Sequence, residues 1–239
     1  MNIFKKDMSD PQRVEVFKAQ TRNVRQLEKT WTHINRQLNV LIAKNDENGI
    51  VIQSKLLALI YCGLAESLFS KIIHTPNGLD LNSISQIKRR INAKGIKEGW
   101  LKASDLALAR VASQRSNHIP NVKKKLEQLI NDYIFDPSLI RNKLAHGQWV
   151  SALNSDNTDI NADATAEIEA ITVIDLYKKK SALDKLSAML EDLIKSPNKA
   201  HPRDYWIHLA DLEERQREME AWTIDKKKQR LFEKKYTPA

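Results

Sequence analysis

Apolar residues recur along the first third of the chain in two different patterns. Phe17, Val24, Trp31 and Leu38 return every seven residues, and Leu27, Ile34 and Leu41 fill the seam between them. That spacing predicts one helix over 11–45 with a single apolar stripe, made to meet a partner helix from the same chain or from a second copy. KNDENG (44–49) closes it as a turn. From 50 to 74 the residues are apolar on nearly every side, which predicts a second helix at the centre of the fold. Lys55, Glu66 and Lys71 interrupt this stretch, so a bilayer span is not expected.

Beyond residue 77 the pattern is shorter in range. NGLDLNS reads as a loop, IKRRI as part of a short basic helix, 98–115 as another helix and SNHIPN as a loop. VKKKLEQLINDYI (121–134) predicts a helix leading into a shorter one at 136–146. QWVSALN and AEIEAIT alternate weakly on either side of NSDNTDINADA, which predicts a small β-hairpin. Leu176, Leu183, Leu186, Leu190 and Leu193 mark the packing side of a helix over 173–195. SPNKAHP (196–202) is the linker candidate, followed by a charged amphipathic helix ending in the basic run DKKKQRLFEKK. The expected architecture is all-α with one small hairpin insertion. It divides into a helical domain over 1–195 and a C-terminal helical extension over 196–239.

Composition narrows the function classes. Six Gly and seven Pro in 239 residues favour long helices over a many-turned β fold. Cys62 is the single cysteine, which excludes an internal disulfide and a cysteine-based zinc site. No Gly-rich phosphate loop and no His-x-x-x-His or Asp-x-Asp pattern stands in the chain, so neither a metal nor another cofactor is expected. MNIFKKDMSDPQR lacks the apolar run of a signal peptide, and a cytoplasmic protein without a membrane partner is expected. The net charge of +9 suits a partner rich in phosphate, RNA or DNA.

The chemistry concentrates in DPSLIRNKLAHGQW (136–149). Asp136 can cap a helix, Pro137 fits its first turn and Gly147 stops it. At about 100° per residue, Arg141, Asn142, Ala145 and His146 share one side, while Ile140 and Leu144 can hold the other against a core. Ala145 leaves a gap in which a phosphate can lie between guanidinium and imidazole. Arg supplies a fork of donors and His moves a proton near neutral pH. Asn142, one turn before His146, can orient the ring or the ligand. The set suits phosphodiester cleavage; the plainer alternative is a capping His and a surface Arg on a structural helix. A second Arg-x-x-x-x-His, RDYWIH (203–208), has bulky residues between its ends and no Gly after it, and is taken as accidental.

RNKLAHG resembles the signature of the HEPN superfamily (higher eukaryotes and prokaryotes nucleotide-binding), an Arg, a polar residue and a His after four to six intervening residues. The helical order over residues 10–195 is similar to that family's up-and-down bundle. The resemblance implies a metal-independent ribonuclease, commonly a homodimer with its active site at the interface, working in toxin–antitoxin or antiphage defence biology. An antitoxin or defence-system partner would accompany it. Arg141 would then bind the scissile phosphate, His146 would act as general acid or base, and Asn142 would orient. The RNA 2′-hydroxyl would attack phosphorus and leave 2′,3′-cyclic phosphate and 5′-hydroxyl ends. Other members of the family cleave nothing and serve as nucleotide- or RNA-binding or assembly modules, which is the alternative.

Supporting residues are fewer. Glu66 follows Leu59 and Cys62 at helical spacing, so it can be drawn inward and pair with Arg141, the role the resemblance gives an acidic residue of this helix; a half-exposed position at the helix margin is the alternative. Arg110, Arg115, His118 and Lys143 are candidates to border an RNA groove, against solvated charges as the plainer account. The basic end, Lys226 to Lys235, could tether RNA through phosphate attraction or simply be a charged terminal helix.

Overall fold

The computed structural model describes residues 8–112 and 117–236. Among them the chain is all-α: ten α-helices and one π-helical turn. α1 (Asp10–Lys44), α2 (Glu47–Ile73) and α8 (Val173–Lys195) are the long ones. Between α2 and α8 run α3 (Leu81–Lys94), α4 (Ile96–Leu108), α5 (His118–Ile130), α6 (Asp136–Ala145) and α7 (Ala162–Glu169). α9 (Ala200–Glu220) and α10 (Ile224–Tyr236) close the chain.

The stripe of α1 buries Val24, Trp31, Ile34 and Leu38, and Gln12 accepts the Ser9 backbone N–H at 2.8 Å to close its first turn. α2 is long and apolar enough to cross a membrane by length and composition, yet half of its most apolar window is buried inside the protein, as in a core helix. The five leucines expected on the packing side of α8 are all buried.

The chain forms two compact units, each assembled from three stretches. The first takes the described residues up to Arg25, Glu66–Asn131 and Lys185–Leu209. Its core includes Phe69, Ile72, Ile84, Trp100, Leu190 and Tyr205, with the rings of Phe69 and Trp100 stacked at 4.8 Å. The second takes Gln26–Ala65, Asp132–Asp184 and the described residues from Ala210 onward. Its core includes Leu38, Leu57, Tyr61, Leu144, Ile168 and Leu183.

Several expected elements differ: helices reach into the turn KNDENG, the loop NGLDLNS and the linker SPNKAHP, and three further differences have a local cause. No hairpin forms: Leu153 and Ile160 make an isolated antiparallel bridge, and residues 166–169 of the segment expected as its second strand belong to α7. The reason is local. The Asn161 side chain accepts the Ala164 N–H at 2.9 Å, and ADATAEIE is rich in helix-favouring Ala and Glu. SNHIPN is not wholly a loop, because α5 begins at His118 and Pro120 sits in its first turn, where no helical N–H is missed. α4 starts after Gly95 and ends at Leu108, short of 115.

Candidate functional site

α6 does not start afresh. α5, the π-helical turn Asn131–Phe135 and α6 follow one another without a break, so Phe135 rather than Asp136 occupies the capping position, and no side chain caps it. Pro137 explains the π-turn. It has no N–H for the carbonyl four residues back, Tyr133, and its ring crowds that carbonyl. Widening the helix relieves the crowding, and the Tyr61 hydroxyl donates to the Tyr133 oxygen at 2.6 Å in place of the missing N–H. Tyr61 is buried, and burial pushes its phenol well above its ordinary range, so it stays a donor.

The other end of α6 closes in a Schellman cap. The Gly147 N–H donates to the Leu144 carbonyl at 3.1 Å and the Gln148 N–H to the Lys143 carbonyl at 3.0 Å. Gly147 has φ +79°, the left-handed conformation that stops the helix as expected. Trp149 folds back, its indole N–H donating to the Leu144 carbonyl at 2.9 Å, and the Lys55 ammonium of α2 donates to the Trp149 carbonyl at 2.5 Å. Lys143 Nζ donates to the Leu153 carbonyl and draws the following loop against the helix. Leu144 is buried, as its position on the helix predicted.

These anchors leave the polar side of α6 open. His146 and Asn142 are exposed and Arg141 is half-buried, so none of the three is walled into the apolar interior. Asn142, Lys143 and His146 line one side of an open groove of about 1060 Å³, with Gln148 beyond them. The loop 153–161 and α7 form the rest, contributing Asn154, Asn161, Asp163 and Glu167. Arg141 is not part of the lining; its Nη1 donates to Asn142 Oδ1 at 3.2 Å and so reaches the groove through Asn142.

The carboxamides are oriented by the fold. Gln148 Oε1 accepts the Leu153 N–H at 2.8 Å, and Asn161 Oδ1 accepts the Ala164 N–H at 2.9 Å. Their NH₂ groups take no part in these bonds, and both residues line the groove. One groove thus offers a cation, an imidazole and amide donors, together with the carboxylates of Asp163 and Glu167. That mixture matches a nucleotide, which carries phosphate and carbonyl acceptors as well as sugar hydroxyl and base N–H donors. Sequence reasoning missed the loop and α7 contribution, although the density of Asn and Asp in NSDNTDINAD is visible in the chain.

The other candidates lie elsewhere. Glu66 belongs to the first unit and is exposed; it is not drawn inward, because the buried side of α2 there runs through Leu64, Ala65 and Phe69. Arg110, also in the first unit, donates to the Ile194 carbonyl at 2.9 Å near the C-terminus of α8. His118 sits in the same unit, its Nε2 at 3.3 Å from Nε2 of the fully buried His201. Arg115 lies outside the described residues. In the second Arg-x-x-x-x-His, Arg203 pairs with Asp204 at 2.7 Å and His208 with Asp192 at 3.2 Å. Compared with known proteins, the chain matches no family model, no curated protein and no solved structure.

Proposed function

We propose that this protein is a metal-independent RNA endonuclease of the HEPN type, with Arg141, Asn142 and His146 as its reactive set. The observation that carries the proposal is the open groove at the end of α6, where an exposed His146 and the Arg141–Asn142 pair meet a lining of amide donors. In the reaction, the RNA 2′-hydroxyl attacks the adjacent phosphorus as a base removes its proton. The P–O5′ bond breaks, the leaving oxygen takes a proton from an acid, and no water is consumed. The products are a 2′,3′-cyclic phosphate and a 5′-hydroxyl. Arg141 stabilises the charge that builds on the non-bridging oxygens, and His146 performs one of the two proton transfers. The other needs a second group, which a two-fold homodimer would supply as the partner's His146. Toxin–antitoxin or antiphage defence is the biological setting that fits such an activity.

One observation favours a second reading, a noncatalytic HEPN-like module that binds nucleotide or RNA: Arg141 is engaged with Asn142 and does not line the groove. Incubation with total RNA in EDTA separates the two. The nuclease reading expects cleavage that survives the chelator, disappears in His146→Ala and leaves cyclic-phosphate ends. Cleavage retained by a folded His146→Ala protein overturns the assignment, and RNA binding without turnover supports the second reading.

A further inference from the structure

A separate cavity of the second unit, about 510 Å³, lies between α8 and α10. Among the described residues, two aromatic rings and three cations gather on it: Tyr177, Trp222, Lys226, Lys227 and Arg230, with Glu233 as the single acidic residue. The rings and cations are already arranged on each other. The Lys227 ammonium lies 4.6 Å from the centre of the Tyr177 ring and donates to its hydroxyl at 3.0 Å. The Arg230 guanidinium lies 5.6 Å from the centre of the Trp222 indole. Lys226 Nζ donates to the Ala221 carbonyl at 2.8 Å, a neutral partner that leaves its charge to attract an anion. Trp222 and Tyr177 are only half-buried, and both line the cavity. Asn39 also lines the cavity, and its buried carboxamide oxygen makes no hydrogen bond within the protein.

A terminal helix that merely kept the protein soluble would send its cations outward, away from aromatic faces. Here Lys226 and Arg230 converge with an indole on one concave site. Cations beside planar rings are what a single-stranded nucleic acid needs, since phosphates take the charge and unpaired bases take the ring faces. A duplex hides its base planes and would use only the charge. An acidic peptide would likewise leave the rings idle.

We propose that this cavity is a single-stranded RNA-binding subsite, in which Lys226 and Arg230 hold phosphates and Trp222 stacks a base. It goes beyond the nuclease reading, because binding here needs no cleavage.

The test is equilibrium binding of a fluorescein-labelled single-stranded oligouridylate by the full chain carrying His146→Ala, so that no turnover intervenes. Each lost phosphate contact lowers the slope of log K against log salt by about 0.7. Adding Lys226→Gln and Arg230→Gln is therefore expected to lower it by about 1.4. Trp222→Ala is expected to weaken binding roughly 5- to 150-fold with the slope retained. Should the double variant fold poorly, Lys226→Gln alone is expected to lower the slope by about 0.7. An unchanged affinity and slope in folded variants overturns the proposal, as does polyglutamate competing as well as the RNA.

Discussion

Gly147→Ala isolates the backbone contribution to the site. A methyl group built at Gly147 meets no heavy atom within 4 Å, so the substitution brings no clash and removes no packing. What remains is the φ of +79°, which costs a residue bearing a Cβ about 1–2 kcal/mol. Replacing Gly also restricts the unfolded chain, which returns about 0.4–1 kcal/mol. The net loss is about 1 kcal/mol, a fall in Tm of roughly 2–4 °C for a chain of this size. Asn tolerates this conformation better, and the protein itself places Asn45, Asn77 and Asn157 at φ between 54° and 61°. Gly147→Asn is therefore expected to recover much of the loss. Gly63→Ala is the opposing control: Gly63 lies inside α2, its built Cβ sits 3.9 Å from Leu27, and it should gain about 0.5–1 kcal/mol. Chemical denaturation followed by far-UV circular dichroism reads all three. A Gly147→Ala protein as stable as the wild type, or an Asn variant no better than Ala, would refute the account of the cap that holds His146.

Two further outcomes follow from buried polar groups. Tyr61→Phe strands the Tyr133 carbonyl in the π-turn and should cost about 1–3 kcal/mol in the same denaturation assay; a loss below a few tenths would show that the turn does not depend on this donor. His201 is fully buried, and burial, with a smaller effect from His118, lowers its pKa from 6.5 to about 4. The folded protein therefore favours neutral His201, and the unfolded chain takes the proton first. Its contribution is complete above about pH 6.5 and is lost as pH falls towards 4, by about 2 kcal/mol after allowing for screening on the His118 side. His74, also lowered by burial, adds to the loss below its ordinary range. Stability measured against pH should flatten in His201→Gln; an unchanged profile would refute the assignment to this ring.

The long helices were legible because their period is self-contained. The seven-residue return of Phe17, Val24, Trp31 and Leu38 needs no knowledge of what covers it, and α8 begins and ends where its leucines predicted. The hairpin failed for the converse reason. Alternation in AEIEAIT is weak, and the interaction that decides the outcome is a side-chain cap from Asn161, five residues before that stretch. Glu66 takes the exposed position at the helix margin, the alternative reading, because helical spacing shows which residues share a face but not where that face ends. The aromatic partner of the basic tail was hidden too: Tyr177 stands 50 positions before Lys227, and no local pattern joins them.

The helix that carries Arg141 and Asn142 ends as its sequence predicted but does not begin with the predicted cap, and the reason is chemical. Gly147 acts through its own φ, a local property, so the stop at the end of α6 could be inferred from residue type alone. Pro137 acts at a distance of four residues, on the Tyr133 carbonyl, and its effect depends on whether a helix already runs into it. Pro137 does stand in the first turn of α6, but α5 arrives through the π-turn without a break, so Asp136 has no free helix end to cap. A π-turn changes the angular register of everything beyond it. Ridge positions counted back from α5 therefore cannot say which way Arg141 and His146 point. Anchors from outside the helix, among them Tyr61 on the π-turn and Lys55 on the Trp149 carbonyl, fix that orientation. Both come from one stretch of α2, so α2 serves the groove as the support that sets the direction of α6, and loosening either anchor should disturb the site before it disturbs the core.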